Sequence, residues 1–237
     1  MERKVLPLTS MRKIIFIFFI SLQMFSQSYF ELGKQYFADK KWELAQSNFE
    51  KVLAQNPNNY QAMEYLGDIF GHQKNWDLAI EKYKTLRDKF PQNANYWYKY
   101  GGALGMKAKE SNKFKALSLI DDVEEAFLKA AKLDKNHIDT RWALVMLYIE
   151  LPAIIGGSEK KAQKYATELL NLSKVDGYLA KGYIDVYFER YQSAEKNYTL
   201  AHKIGNSKTT FEKLYDLYLN KLKNIEKAKQ LKKEFNS

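Results

Sequence analysis

The chain of 237 residues has no cysteine. Disulfides, thiolate metal sites, a thiol nucleophile and a lipid-modified cysteine anchor are thereby excluded. Proline and glycine are sparse, at 4 and 11 residues, which leaves little sequence for flexible linkers. No low-complexity tract interrupts the chain. Also missing is any apolar run of the roughly 20 residues that a membrane-spanning helix needs. The run over 14–25 falls well short of that length and contains Ser21 and Gln23. No phosphate-binding loop, Gly-x-Ser-x-Gly elbow or His-Glu-x-x-His pair is found. His72, His137 and His202 each lack a second metal-type ligand at i+3 or i+4 and read as surface residues near helix ends. The acidic pairs Asp121-Asp122 and Glu124-Glu125 fit helix surfaces better than an acid/base couple. No catalytic residue, cofactor or metal site is therefore expected.

What is present is aromatic and basic. Fourteen Phe, 17 Tyr and 4 Trp supply large apolar area for packing. The formal net charge is +10, but its lysines are scattered along the chain rather than gathered in a block. That distribution reads as a solvated surface, and no nucleic-acid partner is expected. At the N-terminus, Arg12 and Lys13 precede the short apolar run, and Ser26 and Ser28 come after it at the spacing of a cleavage site. This pattern predicts an export signal over 1–28, cut before Tyr29, with Met11 as an alternative start. A retained anchor is the other reading. The expected location is periplasmic or secreted, with no stable membrane span once the signal is removed.

The dominant feature is internal repetition. Leu32-Gly33, Tyr36, Trp42, Ala45, Phe49 and Pro57 recur as Leu66-Gly67, Phe70, Trp76, Ala79, Tyr83 and Pro91, each pair 34 apart. Gly101 comes after Gly67 at the same interval. A later copy holds Gly182, Tyr191, Ala194, Tyr198 and Ala201, with the same glycine-to-alanine offset of 12 as Gly33 to Ala45. A glycine kept inside a helix costs about 1 kcal/mol against alanine, so its recurrence points to close approach of a second helix. Pro57 and Pro91 stop helices.

This pattern resembles the tetratricopeptide repeat family over about residues 29–235. The resemblance implies an all-α fold, a right-handed solenoid of antiparallel helix pairs. One repeat domain is expected over 29–237, with repeats at about 29–59, 60–93, 94–137, 138–174 and 175–208 and a terminal helix pair over 209–237. The array is expected to behave as one cooperative unit. Two places depart from the family. Ten residues are inserted between Gly101 and Phe127, and five between Tyr148 and Ala162. The first insertion is expected to lengthen one or both helices of the third repeat, with Asp121 and Asp122 favouring the next helix start. In the second, Pro152 ends a helix, Gly156-Gly157 turns and Ser158 caps the next helix.

By the same resemblance, ligand contacts fall on the first helix of each pair. The corresponding residues are Phe30, Lys34 and Phe37, then Glu64 and Asp68, Tyr98, Trp142 and Met146, and Tyr183 and Tyr187. Aromatics with a few charges suit a peptide or small ligand; packing between helices is the competing use of these rings. The expected function is a non-catalytic scaffold in the cell envelope that holds a protein or peptide partner in its groove. The alternative is a small-molecule-binding helical protein serving a transporter, with a pore near Tyr98 and Trp142.

Overall fold

The computed structural model describes residues 28–235, and these form helices and turns without strands. Of the expected export segment only Ser28 falls among the described residues; the apolar run lies outside them. No helix among the described residues is long and apolar enough to cross a membrane. The chain divides into two compact units, one ending at Pro91 and the other starting at Gln92.

The first unit holds two hairpins. Helix α1 spans 28–38 and α2 spans Trp42–Gln55; α3 is Tyr60–His72 and α4 is Trp76–Lys89. Each hairpin turns through a left-handed residue that is not glycine: Lys40 and Lys74, both at φ 58°. The recurrent glycines face the partner helix. A Cβ on Gly33 would stand 2.9 Å from the Phe49 ring, and one on Gly67 would stand 2.6 Å from the Tyr83 ring. Ala45 and Ala79, on the partner helices, are fully buried. Phe49, Val52, Leu66, Ile69 and Leu86 complete this core, each at most 2% exposed.

The second unit continues with α5 (Ala94–Glu110), α6 (Lys113–Leu133), α7 (Ile138–Glu150), α8 (Glu159–Leu172), α9 (Lys174–Tyr187), α10 (Tyr191–Gly205), α11 (Lys208–Asp216) and α12 (Ile225–Phe235). The pattern of the first unit recurs. A Cβ on Gly101 would meet the Phe127 ring, and one on Gly182 the Tyr198 ring. Helix starts are set by polar side chains that accept otherwise unused amide protons. Asn93 accepts from Asn95 and Tyr96, Ser173 from Asp176, and Ser207 forms a reciprocal capping box with Thr210.

The ten-residue insertion lengthens both helices of its hairpin, giving α5 17 residues and α6 21. Asp121 and Asp122 do not start a helix. They lie exposed in the middle of α6, and Asn112 caps it instead by accepting from the Lys115 amide. The five-residue insertion is a short 3₁₀ turn, Ala153–Ile155, between α7 and α8. Gly156 turns the chain with φ 104°, and Ser158 accepts from the Lys161 amide at the start of α8.

One buried charge ties this unit together. Arg141 is 3% exposed, and its guanidinium donates to the carbonyls of Ala131, Asp134 and His137 while pairing with Glu168. It therefore satisfies carbonyls at the end of α6 that have no helical partner. The terminal core joins Leu179, Ala194, Tyr198 and Ala201 to Leu214, Leu217, Tyr218 and Leu231. Between α11 and α12 the chain widens into a π turn over Leu217–Lys221, closed by the Leu222 amide donating to the Leu217 carbonyl.

Candidate functional site

In the first unit, α1 and α3 lie side by side and leave a surface pocket of about 360 Å³. Its lining is Phe30, Lys34, Gln61, Glu64, Tyr65 and Asp68. Four of these, Phe30, Lys34, Glu64 and Asp68, are positions singled out in the sequence. The pocket exists because three rings hold the helices apart. Phe30 meets Phe49 and Tyr65 edge to face, at 5.7 and 6.1 Å between centroids, and Tyr65 stacks on Phe49 at 4.7 Å. Phe37, one of the expected contact residues, lies in the same cluster, edge to face with Trp42 and Tyr65. Its ring spaces helices and does not line the pocket.

The polar groups are positioned as well. Asp68 accepts the Tyr83 hydroxyl proton at 2.6 Å, so α4 fixes a carboxylate at the pocket edge. The Lys34 ammonium pairs with Glu31 at 3.0 Å and sits 5.8 Å from the Phe30 ring centroid. This surface pair contributes little to stability, and a ligand anion can compete for it. The pocket thus offers a flat aromatic wall, one cation, two carboxylates and an amide, a set suited to a polypeptide backbone with mixed side chains.

In the second unit, the remaining expected contacts divide between packing and exposure. Tyr98 is half-buried against Phe127 and His137. Burial, with Asp139 nearby, raises its hydroxyl pKa above the usual value. Trp142 packs on the terminal core and donates its indole N–H to Asp176 at 2.9 Å. Asp176 also accepts from the Ser173 hydroxyl at 2.6 Å. Tyr183 donates to Glu150 at 3.1 Å, and Glu150 in turn takes the Lys109 ammonium at 2.6 Å. Burial and that carboxylate push the Tyr183 hydroxyl well above its ordinary value. A polar ladder therefore crosses α5, α7 and α9. Met146 and Tyr187 are exposed, at 39% and 50%.

Gln61 and Tyr65 are pocket residues that the repeat pattern does not point to. Residue 65 is Tyr where the equivalent positions of the neighbouring repeats are Glu31 and Lys99, so the repeat carries no signal for it. The histidines lie at helix ends, as the sequence suggests, and also take part in local packing and capping. His72 stacks on Trp42 at 4.3 Å, and His137 caps α7 by accepting from the Thr140 amide. Among the described residues no group of three His, Asp or Glu is placed to hold a metal ion.

Paired helices, a small residue where each pair crosses, and a pocket on the first helices define a helical-hairpin repeat protein. The family model described as tetratricopeptide repeat matches residues 30–94. Over that segment the chain is similar to tetratricopeptide repeat proteins. Solved structures share its fold at low identity. A tetratricopeptide repeat protein of Thermus thermophilus has 17% identity and TM-score 0.67, covering 82% of this chain and 99% of that one. PilW, a type IV pilus biogenesis factor, has 15% identity and TM-score 0.67, covering 88% and 91%. YrrB, a tetratricopeptide repeat protein with an unusual peptide-binding site, has 14% identity and TM-score 0.52, covering 77% and 87%.

Proposed function

We propose that the chain is a non-catalytic scaffold of the cell envelope that binds an extended segment of a partner protein. The observation that carries this reading is the pocket of Phe30, Lys34, Gln61, Glu64, Tyr65 and Asp68 between α1 and α3. Its aromatic wall gives apolar contact area, and its opposed charges and amide offer hydrogen bonds to an extended backbone. The peptide-binding site named for the YrrB structure adds support from the same fold. A transporter-associated small-molecule site would draw on Tyr98 and Trp142, but their rings are occupied by packing against Phe127, His137 and the terminal core.

Screening a random peptide library against the full chain tests the pocket. Selected peptides should lose at least about tenfold in affinity to Lys34→Glu or Glu64→Lys, equivalent to ~1.4 kcal/mol, with unchanged circular dichroism. Binders indifferent to both reversals would remove the pocket from the function. The envelope location rests on Arg12, Lys13, the apolar run and Ser26 and Ser28. Fractionation of cells expressing the chain with and without residues 1–28 tests it. Recovery of both forms in the cytosol would overturn the location without touching the peptide site.

A further inference from the structure

The two insertions end in solvent with apolar side chains that the fold does not use. Phe114, in the first turn of α6, is 88% exposed, and Ile154, in the 3₁₀ turn after α7, is 93% exposed. Leu117, three residues beyond Phe114 on the same helical face, is 46% exposed. Single exposed apolar residues are common, but a large side chain left almost wholly in water at the tip of each of two separate insertions calls for a partner.

The two tips belong to one end of the second unit. Lys109, near the end of α5, pairs with Glu150, the last residue of α7, at 2.6 Å. Phe114 comes one short turn after Lys109, and Ile154 comes four residues after Glu150. Exposed lysines flank both tips: Lys113 and Lys115 on either side of Phe114, and Lys160 at the start of α8. Of the carboxylates near the tips, Glu150 pairs with Lys109 and Glu159 with Arg190, each at 2.6 Å, and the exposed Glu110 is also engaged. Asp121 and Asp122 lie about two turns further along α6.

We propose that this end of the second unit docks on an anionic bilayer surface. Phe114 and Ile154 enter the headgroup region, and Lys113, Lys115 and Lys160 contact lipid phosphates. A protein partner of ordinary affinity needs a continuous face of about 800 Å². A fluid interface accepts separate protruding tips and rewards two things, apolar insertion and positive charge. The arrangement is independent of the peptide pocket, which lies in the other unit.

The absence of native cysteine permits a local test in the full chain. An Ile154→Cys variant is labelled with an environment-sensitive nitrobenzoxadiazole dye, and a Lys208→Cys variant serves as control on α11. Vesicles of phosphatidylcholine with phosphatidylglycerol should shift the residue-154 emission to the blue with about a threefold rise in intensity, and leave the control unchanged. Reversing Lys113 and Lys115 to Glu, together with Phe114→Ser, should reduce that rise by more than about half. An unmoved residue-154 signal overturns the proposal, because these tips then do not enter a membrane. An equal rise with phosphatidylcholine alone overturns the role of the lysines. A rise with protein concentration in the absence of lipid assigns the tips to a second copy of the chain instead.

Discussion

Gly67 lies directly under the ring of Tyr83. A Cβ at 67 would stand 2.6 Å from the ring's Cε1, and the hydroxyl of the same ring donates to Asp68 at 2.6 Å. One missing methyl group thus admits the ring that packs the hairpin and fixes a carboxylate of the pocket. The relationship links the repeat pattern to the candidate site.

Gly67→Ala should therefore destabilise despite alanine's higher helix propensity. The crowding costs about 1–3 kcal/mol, set against a propensity gain of about 1 kcal/mol. Gly102→Ala is the control, since a Cβ there meets nothing within 4 Å; it should stabilise by about 0.5–1 kcal/mol. Urea unfolding of both variants measures the contrast.

Lys40 and Lys74 carry the left-handed turns of the first unit at φ 58°. A non-glycine residue there costs about 1 kcal/mol or more. Lys74→Gly should raise the unfolding free energy by about 0.5–1 kcal/mol after the added freedom of the unfolded chain is counted, read as a higher urea midpoint. Lys51→Gly, in the interior of α2, should do the reverse.

Arg141 answers three carbonyls and one carboxylate from a nearly fully buried position. Arg141→Met removes the buried donor that these acceptors share and should cost about 1–3 kcal/mol. Arg141→Lys should recover only part of this, because an ammonium cannot reproduce the planar fork. Thermal unfolding monitored by far-ultraviolet circular dichroism distinguishes the three chains.

Glu124 gives a pH signature. Burial pushes its carboxyl pKa up, but the Tyr148 hydroxyl at 2.6 Å and the Lys161 ammonium at 3.1 Å outweigh it and hold the group below its ordinary value of 4.5. The unfolded chain then takes the proton first, so the stabilisation is complete above the ordinary value and fades as pH falls through the lower folded one. Tyr148 is raised by burial and by Glu124, and it remains a donor across this window. Glu124→Gln should be less stable than the parent chain near neutral pH, by about 1 kcal/mol, and the gap should close as pH falls below 4.5 and through the lowered folded value. A gap that stays constant with pH would show that the lost interaction is packing rather than charge.

The fold was legible because the repeat encodes backbone proximity. Gly33, Gly67, Gly101 and Gly182 each predict close approach of a second helix, and in each case a Cβ would meet an aromatic ring carried by the partner helix. The pocket was legible in part. Its helix pair and four of its lining residues come from repeat position, whereas Tyr65 depends on one repeat's own side chain. Asp121 and Asp122 mislead because acidic residues favour a helix start only when the preceding turn breaks the helix. Here Asn112 supplies the cap nine residues earlier, and α6 runs through them. The pairing of Trp142 with Asp176 across α7 and α9 was not legible, because the five-residue insertion between them takes the two residues out of repeat register.

The π turn over Leu217–Lys221 directs two consecutive side chains, Leu217 and Tyr218, into the terminal core at 1% and 8% exposure. A coil of this kind uses one residue more than an α-turn to cover the same arc. Leu219, in the middle of it, is 39% exposed. The hairpin therefore holds a spare unit of length at this point, and a one-residue deletion can be absorbed by tightening the coil before the phase of α12 is disturbed.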